Sequence, residues 1–445
     1  MSKIVNREIK SKMEKILRTM EKFIPRKIFR FFQPFYHQTL AFLAACFFRF
    51  PSKKIRVVAV TGTKGKSTVV ELLNSVFEES GEKTALLSTI RFKIAENSQP
   101  NKHKMTVPGR FFVQKFLREV VDAGCDIVIL EMTSEGVKQY RHKFIALDAL
   151  VVTNLAPEHI ESHGSYENYV AAKVEIAKAL EKSPKTNKIL AVNGDDKEAE
   201  KFLGVFSGKK VVYSKRETEN AKISENGISF EMRGCKITSK LPGEFNFYNI
   251  LAAVSLAEAM GISSEKIKAG IEKLESVRGR AEEIENSLGI KILVDYAHTP
   301  DSLEKLYKTY ENRRKICVLG NTGGGRDKWK RPVMGGIAEK YCDEIILTNE
   351  DPYNEKPLQI IKEMADGMNI KTPKMVLDRR EAIRTALTAA RKESPADNVN
   401  TKKPVVLITG KGTDPYIMGK NGSKIVWDDA TVVREELEKL FEVVS

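Results

Sequence analysis

A short apolar run, Ile55-Arg56-Val57-Val58-Ala59-Val60, leads directly into Thr61-Gly62-Thr63-Lys64-Gly65-Lys66-Ser67-Thr68. No other stretch constrains the chain as strongly. The β-branched run reads as a buried strand, and a helical pattern follows over Val69–Glu79. A strand, a glycine-rich turn and a Lys-Ser pair opening a helix make the geometry that cradles phosphates. Glycines let backbone N–H groups approach the ligand, Lys66 reaches the outer phosphates, and Ser67 can hold Mg²⁺. The longer form of this loop has a glycine where Val60 stands, so this one is a shortened variant. A mere turn is the competing reading, disfavoured by the strand before it and the helix after it.

Downstream, strand patterns at Asp126–Leu130, Ala149–Thr153, Ile189–Val192 and Val211–Tyr213 alternate with helical ones at Phe111–Ala123 and Tyr166–Leu180. Such alternation predicts a doubly wound α/β sheet with ligands at the strand C-termini. Glu131 follows one strand, and Asn154 follows another just before His159. A second set of strands near Ile292–Asp295, Ile316–Leu319, Glu344–Leu347 and Val405–Thr409 predicts a smaller, Rossmann-like α/β domain. Asp378-Arg379-Arg380-Glu381 reads as a helix cap, and Lys392–Lys403 as a loose loop. The predicted organisation is a basic, aromatic helical segment over 1–53, a P-loop central domain over 54–278, and a C-terminal α/β domain over 279–445.

The net charge of +15 invites a nucleic-acid or membrane reading. Its distribution narrows the choice. Residues 1–56 hold 14 Lys and Arg against three Glu, a surplus of 11, so the remaining 389 residues carry only +4. The body is therefore not a general polyanion binder, and no nucleic-acid partner is expected. Five scattered cysteines, Cys46, Cys125, Cys235, Cys317 and Cys342, form no CxxC pair. They read as reduced thiols of a cytoplasmic protein.

The front end is uncharged and apolar-rich from Phe31 to Phe48, yet Gln33, Pro34, His37, Gln38 and Thr39 interrupt it. It falls short of a spanning helix, which needs about 20 mostly apolar residues. Leu43-Ala44-Ala45-Cys46 resembles a lipoprotein cleavage box, but its basic lead-in is too long and its apolar core too short. Two readings stay open. One is a helical pair packed on the first domain; the other is an interfacial helix over residues 1–55 lying on anionic lipid, peripheral on the inner face of the membrane.

Several motifs occur together and in a fixed order. The phosphate loop is followed by Thr153-Asn154-Leu155-Ala156-Pro157-Glu158-His159, with Ala172-Lys173 beyond it. Next come Asn193-Gly194-Asp195-Asp196, Gly243-Glu244-Phe245-Asn246-Phe247-Tyr248-Asn249 and Gly279-Arg280-Ala281-Glu282. The series ends with Val294-Asp295-Tyr296-Ala297-His298-Thr299-Pro300, Gly323-Gly324-Gly325-Arg326-Asp327 and Gly410-Lys411-Gly412. Over residues 55–420 the chain resembles the Mur ligases, and within them the MurE branch, which adds the third residue of the peptidoglycan stem peptide.

The resemblance implies an ATP-dependent ligase joining an amino acid to a muramoyl-peptide precursor through an acyl phosphate. Gly62, Thr63, Lys64, Gly65, Lys66, Ser67 and Thr68 would hold ATP, with Asn249, Arg280 and Asp295 at its adenine, phosphate and ribose. Ser67, Glu131 and His159 resemble Mg²⁺ ligands, and Lys173 the lysine that is carbamylated in this family. Lys66, Lys173, His159 and Arg280 would carry catalysis. Thr106, Thr133, Gln139 and Arg141 match positions that contact the muramoyl-dipeptide. Arg326, Asp351, Tyr353, Lys411 and Asp414 fall where the amino acid binds.

Three departures bear on substrate. Only about sixty residues precede the phosphate loop, too few for the family's uridine-binding domain, which opens the door to a lipid-linked acceptor. Tyr353 stands where diaminopimelate enzymes carry an arginine in Asp-Asn-Pro-Arg, and a phenol cannot clamp a carboxylate bidentately. Asp351 beside it favours a distal ammonium, so lysine and ornithine compete with diaminopimelate. Finally, Asp414 replaces the family's frequent glutamate, which shortens the pocket wall by a methylene. The rival readings are a ligase on lipid-linked muropeptide and a membrane-associated ATPase scaffold that does not ligate; the lack of paired cysteines disfavours the zinc-bearing amidating branch.

Overall fold

A computed structural model describes residues 26–158, 160–392 and 403–442. His159, the first half of the basic front end and most of the Lys392–Lys403 loop lie outside the described residues.

Strand β1 (Arg56–Thr61) is apolar and buried along almost its whole length, the mark of an interior parallel strand. Its alternation still matters. Val58 and Val60 enter the cluster containing Leu72 and Val76 of α2 (Lys66–Glu79), while Val57 and Ala59 enter the cluster on the opposite face. The sheet is completed by β2 (Thr84–Leu87), β3 (Arg91–Ile94), β4 (Asn97–Pro100), β5 (Ile127–Glu131), β6 (Ala149–Val152), β7 (Ile189–Asn193) and β8 (Lys209–Tyr213). Their order is β4-β3-β2-β5-β1-β6-β7-β8, with β3 and β4 antiparallel at one edge. After β1 the chain runs to one side and returns to add β6 on the other. The loop ending β1 thus occupies the topological switch point, where a doubly wound sheet opens a crevice.

The faces are covered by α3 (Arg110–Asp122) and α5 (Tyr166–Glu181) on one side, and by α2, α6 (Glu244–Ala259) and α7 (Ser264–Lys273) on the other. A short α4 (Ser134–Lys138) follows β5. The expected central strands and helices are present, with ends shifted by one or two residues. Not anticipated was a three-stranded antiparallel sheet of β9 (Glu219–Ser224), β10 (Gly227–Met232) and β11 (Cys235–Ser239). Its signal was alternation: Ile228, Phe230 and Met232 all turn into the core.

The second sheet has the order β12-β13-β17-β14-β15-β16. It comprises β12 (Glu282–Glu283), β13 (Lys291–Asp295), β14 (Arg314–Leu319), β15 (Glu344–Leu347), β16 (Lys374–Met375) and β17 (Pro404–Thr409). Helices α8 (Pro300–Thr309), α9 (Lys330–Tyr341) and α10 (Pro357–Ala365) cover one face; α11 (Arg379–Lys392) and α12 (Asp429–Glu442) cover the other. Asp378 caps α11 as expected, accepting from the Glu381 N–H at 3.0 Å. Arg379 does more than cap: it is buried in a bidentate pair with Asp429.

One expectation is corrected. Cys317 of β14 and Cys342 after α9 are joined by a disulfide across 25 residues, so the thiols are not all free. Strand and helix end meet in one buried cluster, a proximity that spacing alone does not reveal. The described part of the front end is helix α1 (Arg26–Phe47); the rest of the expected helical pair lies outside the described residues. Helix α1 packs on α3 with Ala41, Ala44 and Ala45 buried, while Leu43 and Cys46 face outward. No described helix is long and apolar enough to cross a membrane.

Candidate functional site

The ends of the central strands face the second sheet across a cleft of about 1500 Å³. Its floor is the phosphate loop. Gly65 has φ +81°, and a Cβ there would lie 2.0 Å from Asn249 Oδ1, so only glycine lets α6 close on the loop. Asn154 at the end of β6 fixes the turn: its carbonyl accepts from Thr63 N–H at 2.7 Å and its Oδ1 from Lys64 N–H at 3.0 Å. Lys66 Nζ donates to the carbonyls of Gly62 and Thr63 at 3.1 and 2.9 Å, and burial pulls its pKa down. Thr68 lines the same floor.

At the first turn of α2, Ser67 Oγ donates to Glu131 Oε2 at 3.0 Å. Thr89 completes the carboxylate's shell through its N–H (2.8 Å) and hydroxyl (2.9 Å), and that hydroxyl lies 2.7 Å from Thr106 Oγ1. A hydroxyl, one carboxylate and a phosphate are donors that suit Mg²⁺, which keeps water in its remaining positions. Among the described residues no cluster of three His, Cys, Asp or Glu could hold a metal without such help. Lys173 does not line the cleft. It lies behind the loop, 2% exposed, donating to Gly62 O at 2.7 Å; burial and the Lys66 charge drive its pKa well below the usual lysine range.

The second domain contributes Arg280, whose guanidinium stacks on Tyr296 at 4.3 Å and reaches within 3.5 Å of Ser67 Oγ. Asp295 takes the N–H groups of Ala281 and Ala297, each at 2.6 Å, and so fixes the turn that aims Arg280. On the side of β5, Thr133 caps α4, accepting from Gly136 N–H at 3.2 Å. Gln139 and Arg141 line the adjacent wall, with Arg141 donating to Gln139 Oε1 at 2.6 Å.

Across the cleft, Asp351 is not the free carboxylate that the sequence suggested. Lys411 donates to it at 2.9 Å, and Lys104, from the central domain, ion-pairs with it as well. Both lysines also reach Asp414, at 3.0 and 3.3 Å. Two acids are balanced by two bases, and Lys411 is fully buried away from the cleft. Arg326 and Lys104 both lie over the Tyr353 ring at 5.6 Å.

Sequence reasoning missed Lys104, which has no local signature. It also missed a bridge between domains: Glu158 Oε1 lies 2.8 Å from Lys64 Nζ and 3.4 Å from His298 Nε2. Burial lowers the His298 pKa to about 4. Glu350 was passed over beside Asp351. It is buried, bound by Thr322 Oγ1 at 2.6 Å, with Oε2 lacking a hydrogen-bond partner among the described residues; burial raises its pKa.

Fold and cleft together define a nucleotide-dependent enzyme with its site in a cleft between two α/β domains. Residues 60–257 match the Mur ligase middle domain and residues 279–412 the Mur ligase glutamate ligase domain, and the chain belongs to the Mur ligase family of ATP-dependent ligases. It is 36% identical over 414 residues to the UDP-N-acetylmuramoyl-L-alanyl-D-glutamate–2,6-diaminopimelate ligase of Syntrophomonas wolfei, covering 89% of this chain and 81% of that one. The enzyme of the same name from Geobacillus kaustophilus is 33% identical, with 90% and 83% covered. A solved structure of a ligase of that name superposes with a TM-score of 0.58 at 27% identity, covering 87% and 79%.

Proposed function

We propose that the chain uses ATP to join a diamino acid to a UDP-N-acetylmuramoyl-L-alanyl-D-glutamate-like acceptor, in the cytoplasm. The observation that carries this is the meeting, over Ser67 and Glu131, of Lys66 from one domain and Arg280 from the other. Cations converging on one point suit a transferring phosphoryl group. Residues 54–278 would hold nucleotide and acceptor, and residues 279–445 the amino acid.

In this reading the acceptor carboxylate, positioned by Thr106, Thr133, Gln139 and Arg141, attacks the γ-phosphorus of ATP and ADP leaves. The amine then attacks the acyl carbon and phosphate leaves. Mg²⁺ at Ser67 and Glu131, with His159, would neutralise charge on the phosphates. Asn249 would face the adenine and Asp295 the ribose. Burial and the Lys66 charge favour the uncharged amine of Lys173, the form that reacts with CO₂, which supports a carbamate there; the resulting anion would suit a second Mg²⁺. Arg326 has no acidic partner among the described residues, so it is the available clamp for an amino-acid carboxylate.

The outer face of α1 supports a peripheral membrane association. Phe35, Leu43 and Phe47 recur every fourth or eighth residue and stay exposed, beside a strongly basic front end. Flotation with phosphatidylglycerol vesicles tests that part. The main reading is tested by phosphate release measured with acceptor, amino acid, both and neither. Release that ignores both partners would leave only an ATPase.

A further inference from the structure

Beyond the acceptor wall lies a pair of arginines without acids. Arg110, at the start of α3, donates from Nε to the Gln139 carbonyl at 2.7 Å and contacts His37 Nδ1 of α1. Arg141 donates to the side chain of the same Gln139 and to the Val107 carbonyl. Gln139 therefore bridges the two guanidiniums, one through its backbone and one through its amide. Tyr140 between Gln139 and Arg141 is held at φ +58°, a left-handed conformation unusual for a tyrosine, and this is what turns both neighbours to their tasks. Its ring packs 6.4 Å from His37.

Every acceptor these guanidiniums use is neutral: carbonyl, amide, imidazole or, for Arg141, the Met105 thioether at 3.6 Å. Neither has a carboxylate within ion-pair reach among the described residues. Glu135, whose charge Arg141 feels, is engaged by Ser162 and His163. Burial lowers the pKa of both arginines, and the charge of Arg110 lowers that of Arg141 further. Two half-buried cations left uncompensated are unfavourable until an anion arrives. Planar forks side by side match the oxygens of linked phosphates.

We propose that Arg110 and Arg141, bridged by Gln139 and walled by His37 of α1, bind the diphosphate that tethers the acceptor to its carrier. The site rests on the acceptor reading above and extends it, since Arg141 and Gln139 already line the cleft where the acceptor would lie. It also gives the front helix a role in substrate binding. A nucleoside diphosphate and a polyprenyl diphosphate present the same group here.

Calorimetry on the full chain tests this, with the phosphate loop first filled by Mg²⁺ and a non-hydrolysable ATP analogue. UDP and farnesyl diphosphate are titrated beside uridine and farnesol. Both diphosphates should bind and the two alcohols should not, and the tighter of the pair names the carrier. Arg110→Ala should weaken diphosphate binding about tenfold or more, with Arg110→Lys between. Retained nucleotide binding shows that the variants fold. Unchanged affinity in both variants, or uridine binding as tightly as UDP, overturns the site. Ligation that proceeds while Arg110 proves irrelevant removes this site and leaves the enzyme reading intact; diphosphate binding without ligation does the reverse.

Discussion

Lys173 Nζ donates to the carbonyl oxygen of Gly62 at 2.7 Å, the same oxygen that Lys66 reaches at 3.1 Å. Two ammonium groups on one carbonyl in a dry site repel each other, and the more buried one yields its proton first. Turnover should therefore depend on bicarbonate. Lys173→Arg, which keeps a cation but cannot form a carbamate, should lose on the order of 100-fold in kcat while still binding nucleotide. Full activity of this variant in CO₂-free buffer would refute the modification.

The Ser67–Glu131 contact makes a separate prediction. Glu131→Gln keeps the size of the side chain but removes the charge, and Ser67→Ala removes the hydroxyl that starts α2. Each should raise the Mg²⁺ concentration needed for half-maximal turnover, by about tenfold or more, while the amino-acid KM stays near the wild-type value. A Mg²⁺ titration of initial rates reads this directly. An unshifted midpoint in both variants would place the metal elsewhere.

The parts of this site that were legible in the sequence are those fixed by local geometry. A strand feeding a glycine turn and a Lys-Ser helix start specifies Gly65, Lys66 and Ser67, because backbone and side chains act within one turn. Glu131 was legible as a strand end. What was not legible depends on chain segments far apart. Lys104 meets Asp351 across 247 residues, and no spacing rule announces it. The pairing reverses the meaning of Asp351, from a free anion into one already neutralised. The β9–β11 sheet was overlooked because its strands are short and partly exposed, and Cys317 and Cys342 because their proximity exists only after β14 and α9 pack.

Lys104 is the one described lysine of the central domain that ion-pairs with Asp351 and Asp414 of the other, so it should hold the cleft closed. Lys104→Ala leaves Asp351 with Lys411, so folding should survive. The amino-acid KM should rise by about tenfold, with ATP binding little changed. Small-angle scattering of the variant should show a larger radius of gyration than the wild type. Equal radii together with an unchanged KM would remove the latch.

Acid stability follows from His298 and His142. Burial lowers their pKa values to about 4 and about 3, against 6.5 in the unfolded chain. Below 6.5 the unfolded chain binds protons that the folded chain does not, so stability falls as pH drops from 6.5 towards 4. The loss should be on the order of a few kcal/mol. Urea midpoints measured at pH 7.5 and pH 5 should differ, and His142→Phe should shrink the difference, because neither His142 ring nitrogen has a hydrogen-bond partner among the described residues.

The setting of Tyr353 makes a prediction about which amino acid is taken. Its backbone is left-handed at φ +50°, and its ring lies against Gly324, where a Cβ would come within 3.1 Å. The phenol is thus fixed beside Arg326, at the position proposed to face the distal end of the amino acid. With Asp351 neutralised by Lys104 and Lys411, the attraction for a distal ammonium is weaker than its sequence suggests, and in the proposed reading Arg326 would be one anchor for one carboxylate. Tyr353→Arg adds the second anchor. It should raise kcat/KM for diaminopimelate relative to lysine by about 10- to 100-fold, mostly through KM. Competition assays with both amino acids in one reaction measure the ratio. A ratio that does not move, in a variant that still ligates, would put the distal end of the amino acid somewhere other than Tyr353.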